Sequence, residues 1–598
     1  MEFCMSQPQK TCFLLALTAV LLGSLPCQIQ AGDAKAGPKP LPPDVVEAWE
    51  EGGLLSGATS GWMFVDQSGS LQYSTSATPP AGAVPAFRFL DWRFFHRFPR
   101  IKTPAKLPDP GVPFGLSLNQ VPNIEDFQVK QLAGLKSLQM LDLTATWVTD
   151  DGLKQLAGLK NLQTLSLAGT KVNGRGLKHL AGLKNLKSLD LGGSAADGWQ
   201  FDELPGLESL QSLNLQKTRV SGVVLEKLAV LKSLRSLNLA WTSTNDLGLK
   251  DLAGLKNLQS LNLFSTEVTD AGLKDLVGHT GLQSLNLAYT QVTDEGLKEL
   301  AALKDLKSLN LTGTKVTDKG LKELAKLKSL QSLDLGRTLV TDKGLKQLAG
   351  LKNLRSLSFW SLRGQVTDKG LKELAGLKDL QSLDLYFTEV TDVGLKELAG
   401  LKNLQSLGLQ GTKVTDTGLK ELAGLKNLRS LNLSQLRDVT DTGLKQLAEL
   451  KNLQALDLSI TQVTDMKDLA GLKNLQSLDL SSSGVKDAGL KGLAGLTGLQ
   501  SLNLSPTQVT DAGLKELTGL KNLQSLNLYS TKVTDASMKD LARLKSLQHL
   551  NLGSTKVTDA GLWRLGVLDR LQSLTLPAKA RGPGLAKLRE DLPGCKIE

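Results

Sequence analysis

Aromatic residues make up only 4% of the 598-residue chain, while glycine occurs 58 times. That balance suits thin stacked layers better than a deep globular core. Histidine occurs four times, at His96, His179, His279 and His549, and none stands with a second histidine or an acid at metal-ligand spacing. No glycine-rich phosphate loop and no strained serine turn of the hydrolase kind occurs. These absences argue against an enzyme, a metal centre and a bound cofactor; an enzyme hidden in residues 45–115 is weighed and set aside. Cysteine is scarce too. Cys4, Cys12 and Cys27 lie near the N-terminus, so removal of that segment leaves Cys595 and no internal disulfide. Cys595 could pair between chains, but a lone thiol in a terminal tail is the simpler expectation. The net charge of +11 permits an anionic partner, although much of it is lysine placed periodically.

Lys10 followed by the apolar run Cys12–Leu25 reads as an export signal, with Ala31 as the expected cleavage point. The run is too short to span a bilayer comfortably, and no other stretch could span one. An uncleaved anchor, or lipidation at Cys27, is the alternative; Pro26 before that cysteine argues against lipidation. Residues 32–44 read as an extended linker and residues 45–52, around Trp49, as a short helix. Two apolar runs, Trp62–Val65 and Leu71–Tyr73, flank a polar turn and predict a β-hairpin. Phe64, Phe87, Phe89, Trp92, Phe94, Phe95 and Phe98 then crowd a segment far richer in rings than the rest. They either close the open end of a stack or form a partner site, and the closing role is favoured.

From Leu138 one unit repeats nineteen times at a period of 24 residues, after a degenerate first strand at Leu116–Leu118. Three slips interrupt it: an insertion after Trp360 (SLRGQ), another after Ser434 (QLRD), and a deletion at Met466–Asp468. The pattern L-x-x-L-x-L-x-x-T followed by V-T-D-x-G-L-K-x-L-A-x-L resembles a leucine-rich repeat, of the short type found in bacterial arrays and related to the repeats behind eukaryotic F-box domains. That resemblance implies an α/β solenoid, a horseshoe of about 19–20 repeats with a parallel β-sheet on its concave face and short helices on its convex face. The organisation expected is a signal peptide over 1–31, a linker and aromatic-rich N-terminal cap over 32–115, the array over 116–576 and a C-terminal cap over 577–598. In the last of these, Pro583 starts a helix that Pro593-Gly594 stops.

Within a unit, Leu162, Leu165 and Leu167 point inward, and Ser166 and Ala168 face the concave side. Thr170 occupies a position that is threonine or serine in sixteen of nineteen copies. It is expected to form a hydroxyl ladder onto backbone groups of adjacent coils. Asp294 is expected to cap the following helix, with Leu297, Leu300 and Leu303 facing the core. Gly158 is expected to end its helix in the left-handed conformation.

Asp142, Asp190, Asn214, Asn238, Asn262, Asn286, Asn310, Asp334 and Asp384 form a row between the paired leucines. It reads as a solvated sheet face in preference to a calcium site. Phe264, Trp360, Tyr386 and Tyr529 directly follow the strand leucine, on the concave face; Trp241, Tyr289 and Phe387 come one residue later, at its rim; Trp360, Tyr386, Phe387 and nearby Arg337 lie on adjacent coils beside the SLRGQ insertion and form the candidate ligand patch. Exposed rings on a polar sheet are candidate ligand anchors, against the alternative of drift at unconstrained positions. The helix-side lysines Lys298, Lys304, Lys322 and Lys328 are a weaker candidate for acidic polysaccharide or lipid headgroups.

The expectation is a non-catalytic scaffold, secreted or at the cell envelope, that holds a protein or an extended polymer such as a glycan; export argues against nucleic acid. Two alternatives stand beside it: an intracellular F-box-like adaptor for protein turnover, and a structural cell-surface protein. Neither the oligomeric state nor the ligand is legible.

Overall fold

The computed structural model describes residues 58–66, 71–74, 83–89, 109–121, 124–197 and 206–598, and the single positions Leu41, Val46 and Pro79. The expected signal segment, linker, short helix and the rings of residues 90–98 lie outside them. The described residues fall into two compact units, 41–316 and 317–598.

The first unit begins with the predicted hairpin: Ala58–Val65 runs antiparallel to Leu71–Ser74, with Val65 opposite Leu71. Ala58–Val65 also pairs antiparallel with Val84–Phe89, which pairs parallel with Phe114–Ser117. The hairpin is thereby part of the sheet, and Phe87 and Phe114 are fully buried edge to face with centroids 6.5 Å apart. After one register shift between Phe114 and Gly115 where Leu138–Asp142 joins, the following coils add parallel strands in register, as in Leu237, Leu261 and Leu285. The second unit repeats the arrangement from Ser332–Asp334 to Ser573–Thr575. Its chain end does more than the expected terminal helix. After Pro583–Asp591, Lys596–Ile597 pairs parallel with Ser573–Thr575, and Cys595 is buried, not in an exposed tail.

Seven side chains fill each coil. In one copy Leu162, Leu165, Leu167, Val172, Leu177, Leu180 and Leu183 are all 0% exposed. Each contributes about 2 kcal/mol of hydrophobic stabilisation. Polar side chains then join coil to coil, and here three expectations are corrected.

The threonine ladder is local. Thr170 Oγ1 donates to the Leu167 carbonyl at 2.6 Å, inside its own coil, and Thr290 does the same to Leu287. A hydroxyl three residues past the strand leucine reaches that carbonyl more readily than the next coil.

The inter-coil rung is made by the Thr-Asp pair. Thr293, not Asp294, is the N-cap, accepting from the Glu295 N–H. Its own N–H and hydroxyl donate to the two carboxylate oxygens of Asp270 on the preceding coil, at 2.8 and 2.6 Å. Asp392 holds Thr415 and Asp416 holds Thr440 in the same way. The glycine of V-T-D-x-G follows from this: a β-carbon at Gly513 would lie 2.6 Å from Asp487 Oδ1.

The helix-end glycine does not make a left-handed turn: Gly158 is absent from the positive-φ positions. Lys402 Nζ donates to the Gly424 carbonyl at 3.2 Å, and Lys426 and Lys545 make the same bond to Glu449 and Val567, so a side chain is accommodated at that position. Asn427 Nδ2 in turn donates to the Lys402 carbonyl. Lys328 likewise reaches the Gly350 carbonyl, and Lys298 pairs with Glu295, so part of the basic row serves the array itself.

Leu177–Leu180, Gly222–Val230, Lys467–Leu469 and Asp487–Leu493 lack a side-chain cap and are 3-10 helices. No helix among the described residues is long and apolar enough to cross a membrane.

Candidate functional site

The sheet-face row of Asn and Asp has a structural task. Asn262 Oδ1 accepts from the Phe264 N–H at 3.0 Å, and Asp384 Oδ1 from the Tyr386 N–H at 2.9 Å. These Asx turns end the strands that close on Asn or Asp and project the next side chain outward. The row is therefore more than the solvated face expected. Burial, with the nearby Asp334 charge, pushes the Asp384 carboxyl up to about 7; burial and Asp479 push Asp457 up to about 6. Among the described residues no three His, Cys, Asp or Glu side chains gather as a metal-binding group.

The position after each turn carries a backbone constraint invisible in the pattern. Trp241, Tyr289, Arg337 and Phe387 all have φ between 52° and 59°, the left-handed region. Gly169, Gly313 and Gly411 occupy the same position in other coils. A bulky side chain there costs about 1 kcal/mol relative to glycine.

In the first unit these positions build one continuous surface. Trp241 and Phe264 have ring centroids 5.2 Å apart, and Phe264 and Tyr289 5.3 Å apart, on three successive coils. Trp241 is 54% and Tyr289 39% exposed. Tyr289 in turn lies over Gly313, where a β-carbon would meet its ring at 2.7 Å.

In the second unit the expected neighbours also meet, in pairs. The Arg337 guanidinium stacks on Trp360 at 4.8 Å from the ring centroid. Trp360 lies against Gly336, Tyr386 over Gly408 and Phe387 over Gly411. Asn432 Nδ2 donates to the Tyr386 hydroxyl at 3.2 Å, so this tyrosine is anchored on the sheet and half-buried, not a free anchor. Burial and the Asp384 charge raise its hydroxyl pKa. Tyr529 stands apart, 45% exposed, over Gly553.

Two residues were overlooked. Arg363 stacks on Phe387 at 5.2 Å, and its place in the SLRGQ insertion was the available signal. Trp147, 48% exposed with Lys171 Nζ 5.0 Å from its ring centroid, follows the threonine instead of the strand leucine and so escaped the concave-face pattern. His279 needs no functional reading: it is buried in a leucine slot, with Nε2 3.1 Å from the Leu252 carbonyl, and burial lowers its pKa.

Comparison with known proteins places the repeats. The sequence matches the family described as Leucine-rich repeat region over residues 115–343. Leucine-rich repeat families also match at residues 377–399, 400–423, 471–494 and 497–557. No curated protein matches the chain. Among solved structures, a leucine-rich-repeat protein of Leptospira interrogans is 26% identical, covering 80% of this chain and 100% of that one, with a TM-score of 0.36. The mouse RP105/MD-1 complex is 20% identical over 80% of this chain and 89% of that one, with a TM-score of 0.47. Internalin C2 of Listeria monocytogenes is 30% identical over 35% of this chain and 83% of that one, with a TM-score of 0.29. With repeat families matched from residue 115 to residue 557 on a parallel solenoid of in-register coils, the chain belongs to the leucine-rich-repeat proteins.

Proposed function

We propose that the chain is a non-catalytic binding scaffold of the cell envelope or cell exterior, which holds a protein or an extended polymer on its sheet face. The observation that carries this reading is the run Trp241–Phe264–Tyr289. Two of its three rings are exposed and occupy left-handed backbone, at a position where other coils carry glycine or side chains such as Ser265, Lys217 and Ile460. Contiguous exposed rings on a polar face are the usual anchors of recognition. The signal-like residues 1–31 support the location.

The test is affinity capture on the purified full chain, from the native extracellular or envelope fraction, beside the double variant Trp241→Ala with Tyr289→Ala. Loss of the captured partner from the variant, with an unchanged circular dichroism spectrum, is expected. A partner set identical for both proteins would remove this surface from the reading. Recovery of the intact, uncleaved chain in cytoplasm would favour the adaptor alternative.

A further inference from the structure

We infer that the first unit binds an acidic segment of a partner protein, with Lys217 and Arg235 meeting its carboxylates and Trp241 and Phe264 seating its apolar side chains. This rests on the scaffold reading above and names the partner class of that surface.

The argument begins with two rows that border the sheet face. One is the left-handed row that follows the strands. It sets Lys217 beside Trp241 on the next coil: the Lys217 N–H donates to the Ala240 carbonyl, and the Trp241 N–H to the Phe264 carbonyl. No Asp or Glu takes a positive φ among the described residues. Trp241 is exposed and has no cation over its ring, unlike Trp147 and Trp360. The other row precedes the strands. Arg235 stands there, directed outward after the buried Leu234. In the first unit this row holds glutamine or a cation (Lys187, Arg235 and Lys307) and no acid. Lys307 Nζ donates to Gln283 Oε1 on the preceding coil at 3.2 Å, so members of the row share one side of the sheet.

These two cations are unpaired. Among the described residues, neither Lys217 nor Arg235 makes a side-chain hydrogen bond or ion pair, although Arg235 is half-buried. The acids of the face are engaged. Asp142 accepts from the Ser117 hydroxyl and the Thr144 N–H, and Asp190 accepts from the Gly192 N–H. Glu267 is exposed in the loop row beyond, but that row also carries the exposed Lys171, Arg219 and Lys315. The face therefore offers cations to a ligand more readily than anions. A guanidinium already partly withdrawn from water gains a strong, charge-assisted bond from an arriving carboxylate.

The rings favour a protein over a sugar chain. Trp241 and Phe264 are tilted by 51°, and Phe264 and Tyr289 by 63°, so ring edges meet ring faces and the strip is ridged. A ridged strip suits the branched or aromatic side chains of a protein, whereas a sugar ring needs one flat face to stack on. Ser236–Asn238 is paired with strands on both sides, so the segment is held by its side chains and not by joining the sheet. A segment with acids beside apolar side chains is complementary to Lys217 next to Trp241, and to Arg235 at the other end of the same strand.

The experiment is isothermal titration of the full chain with a random copolymer of glutamate and tyrosine, poly-L-glutamate, a copolymer of lysine and tyrosine, and polygalacturonate. The glutamate–tyrosine copolymer should bind, more weakly as salt rises. Poly-L-glutamate should bind about tenfold more weakly, and Trp241→Ala should abolish that preference. Lys217→Ser with Arg235→Gln should weaken the copolymer about tenfold. Ser265 and Gln259 hold the same positions in other coils, so this variant should fold, which circular dichroism checks. Arg429→Gln, in the second unit, should leave binding unchanged. The inference is overturned if the glutamate–tyrosine copolymer does not bind, if the lysine copolymer binds as tightly, or if poly-L-glutamate does. It is overturned equally if the double variant is unaffected, if Trp241→Ala keeps the preference, or if Arg429→Gln costs as much as the double variant. Polygalacturonate binding as tightly with the same dependence on Lys217 and Arg235 would also overturn it, in favour of an acidic sugar chain. Should Trp241→Ala with Tyr289→Ala still lose its captured partner in those cases, the scaffold reading survives without the acidic-segment assignment.

Discussion

The ring of Tyr386 lies across Gly408 on the next coil, and its hydroxyl accepts a hydrogen bond from Asn432 one coil further on. Gly408 stands in the column that holds Asp384 before it and Asn432 after it. The aromatic and the glycine are thus two halves of one substitution: a β-carbon at 408 would overlap the ring. Trp360 with Gly336, Phe387 with Gly411, Tyr289 with Gly313 and Tyr529 with Gly553 repeat the relationship.

Restoring the common residue should therefore be harmful. Gly408→Asn, which supplies the Asx turn that neighbouring coils use, is expected to cost about 1–3 kcal/mol by displacing Tyr386. In a Tyr386→Ala background the same change should be neutral or stabilising. Thermal unfolding of the four proteins in a double-mutant cycle gives the coupling, and a value near zero would contradict the pairing.

The Asp-Thr rungs predict a position-dependent cost. Asp392→Ala removes the acceptor of two hydrogen bonds from Thr415 and should destabilise the junction by about 1–3 kcal/mol. Asp465→Ala should cost less, because Lys486 replaces the partner threonine and Asp465 accepts only the local Lys467 N–H beside its ion pair with the exposed Lys467. Amide hydrogen exchange of residues 415–418 and 486–489 measures the contrast. Acid should act on the same rungs. Burial alone would raise the Asp511 carboxyl, but the hydrogen bonds from Thr534 and Ser537 outweigh it and leave it below 3.8. Its contribution is therefore present above the ordinary carboxylate range and lost as pH falls through the lowered value.

These rungs mark the limit of what the residues revealed by themselves. The coil was legible, because leucines at fixed offsets leave one way to bury them all. Alternation put the candidate rings on the sheet face and its rim and Trp360, Tyr386, Phe387 and Arg337 on adjacent coils; it did not single out the run Trp241–Phe264–Tyr289. What alternation could not carry is contact across a 24-residue period. Asp270 bonds a residue one full coil away, and Lys136 reaches the Gly158 carbonyl across the same distance in sequence. The positive φ of Trp241 was hidden for a related reason: no local glycine announces it.

Asp384 gives a pH prediction with a definite sign. Its carboxyl is raised from 3.8 to about 7, so between those values the folded state keeps a proton that the unfolded chain releases. Stability from this group is full below pH 4, falls as pH rises to 7 and is level above it. Asp384→Asn keeps the turn acceptor, as Asn262 shows, and removes the penalty. The variant should exceed wild type by about 1–3 kcal/mol at pH 8 and by less at pH 5. Thermal midpoints at the two pH values decide it; an equal gap at both would remove Asp384 as the cause.

Trp241 separates stability from function. Trp241→Ala loses the contact with Phe264 and keeps a β-carbon in left-handed backbone at φ 59°. Trp241→Gly loses the same contact and relieves the strain. The glycine variant should therefore be more stable than the alanine variant by about 1 kcal/mol, although glycine elsewhere in regular structure destabilises by a similar amount. Both should lose the partner equally, since neither presents a ring. Urea unfolding of the two variants, with the capture assay run alongside, tests both halves. If alanine is the more stable of the two, position 241 carries no left-handed strain.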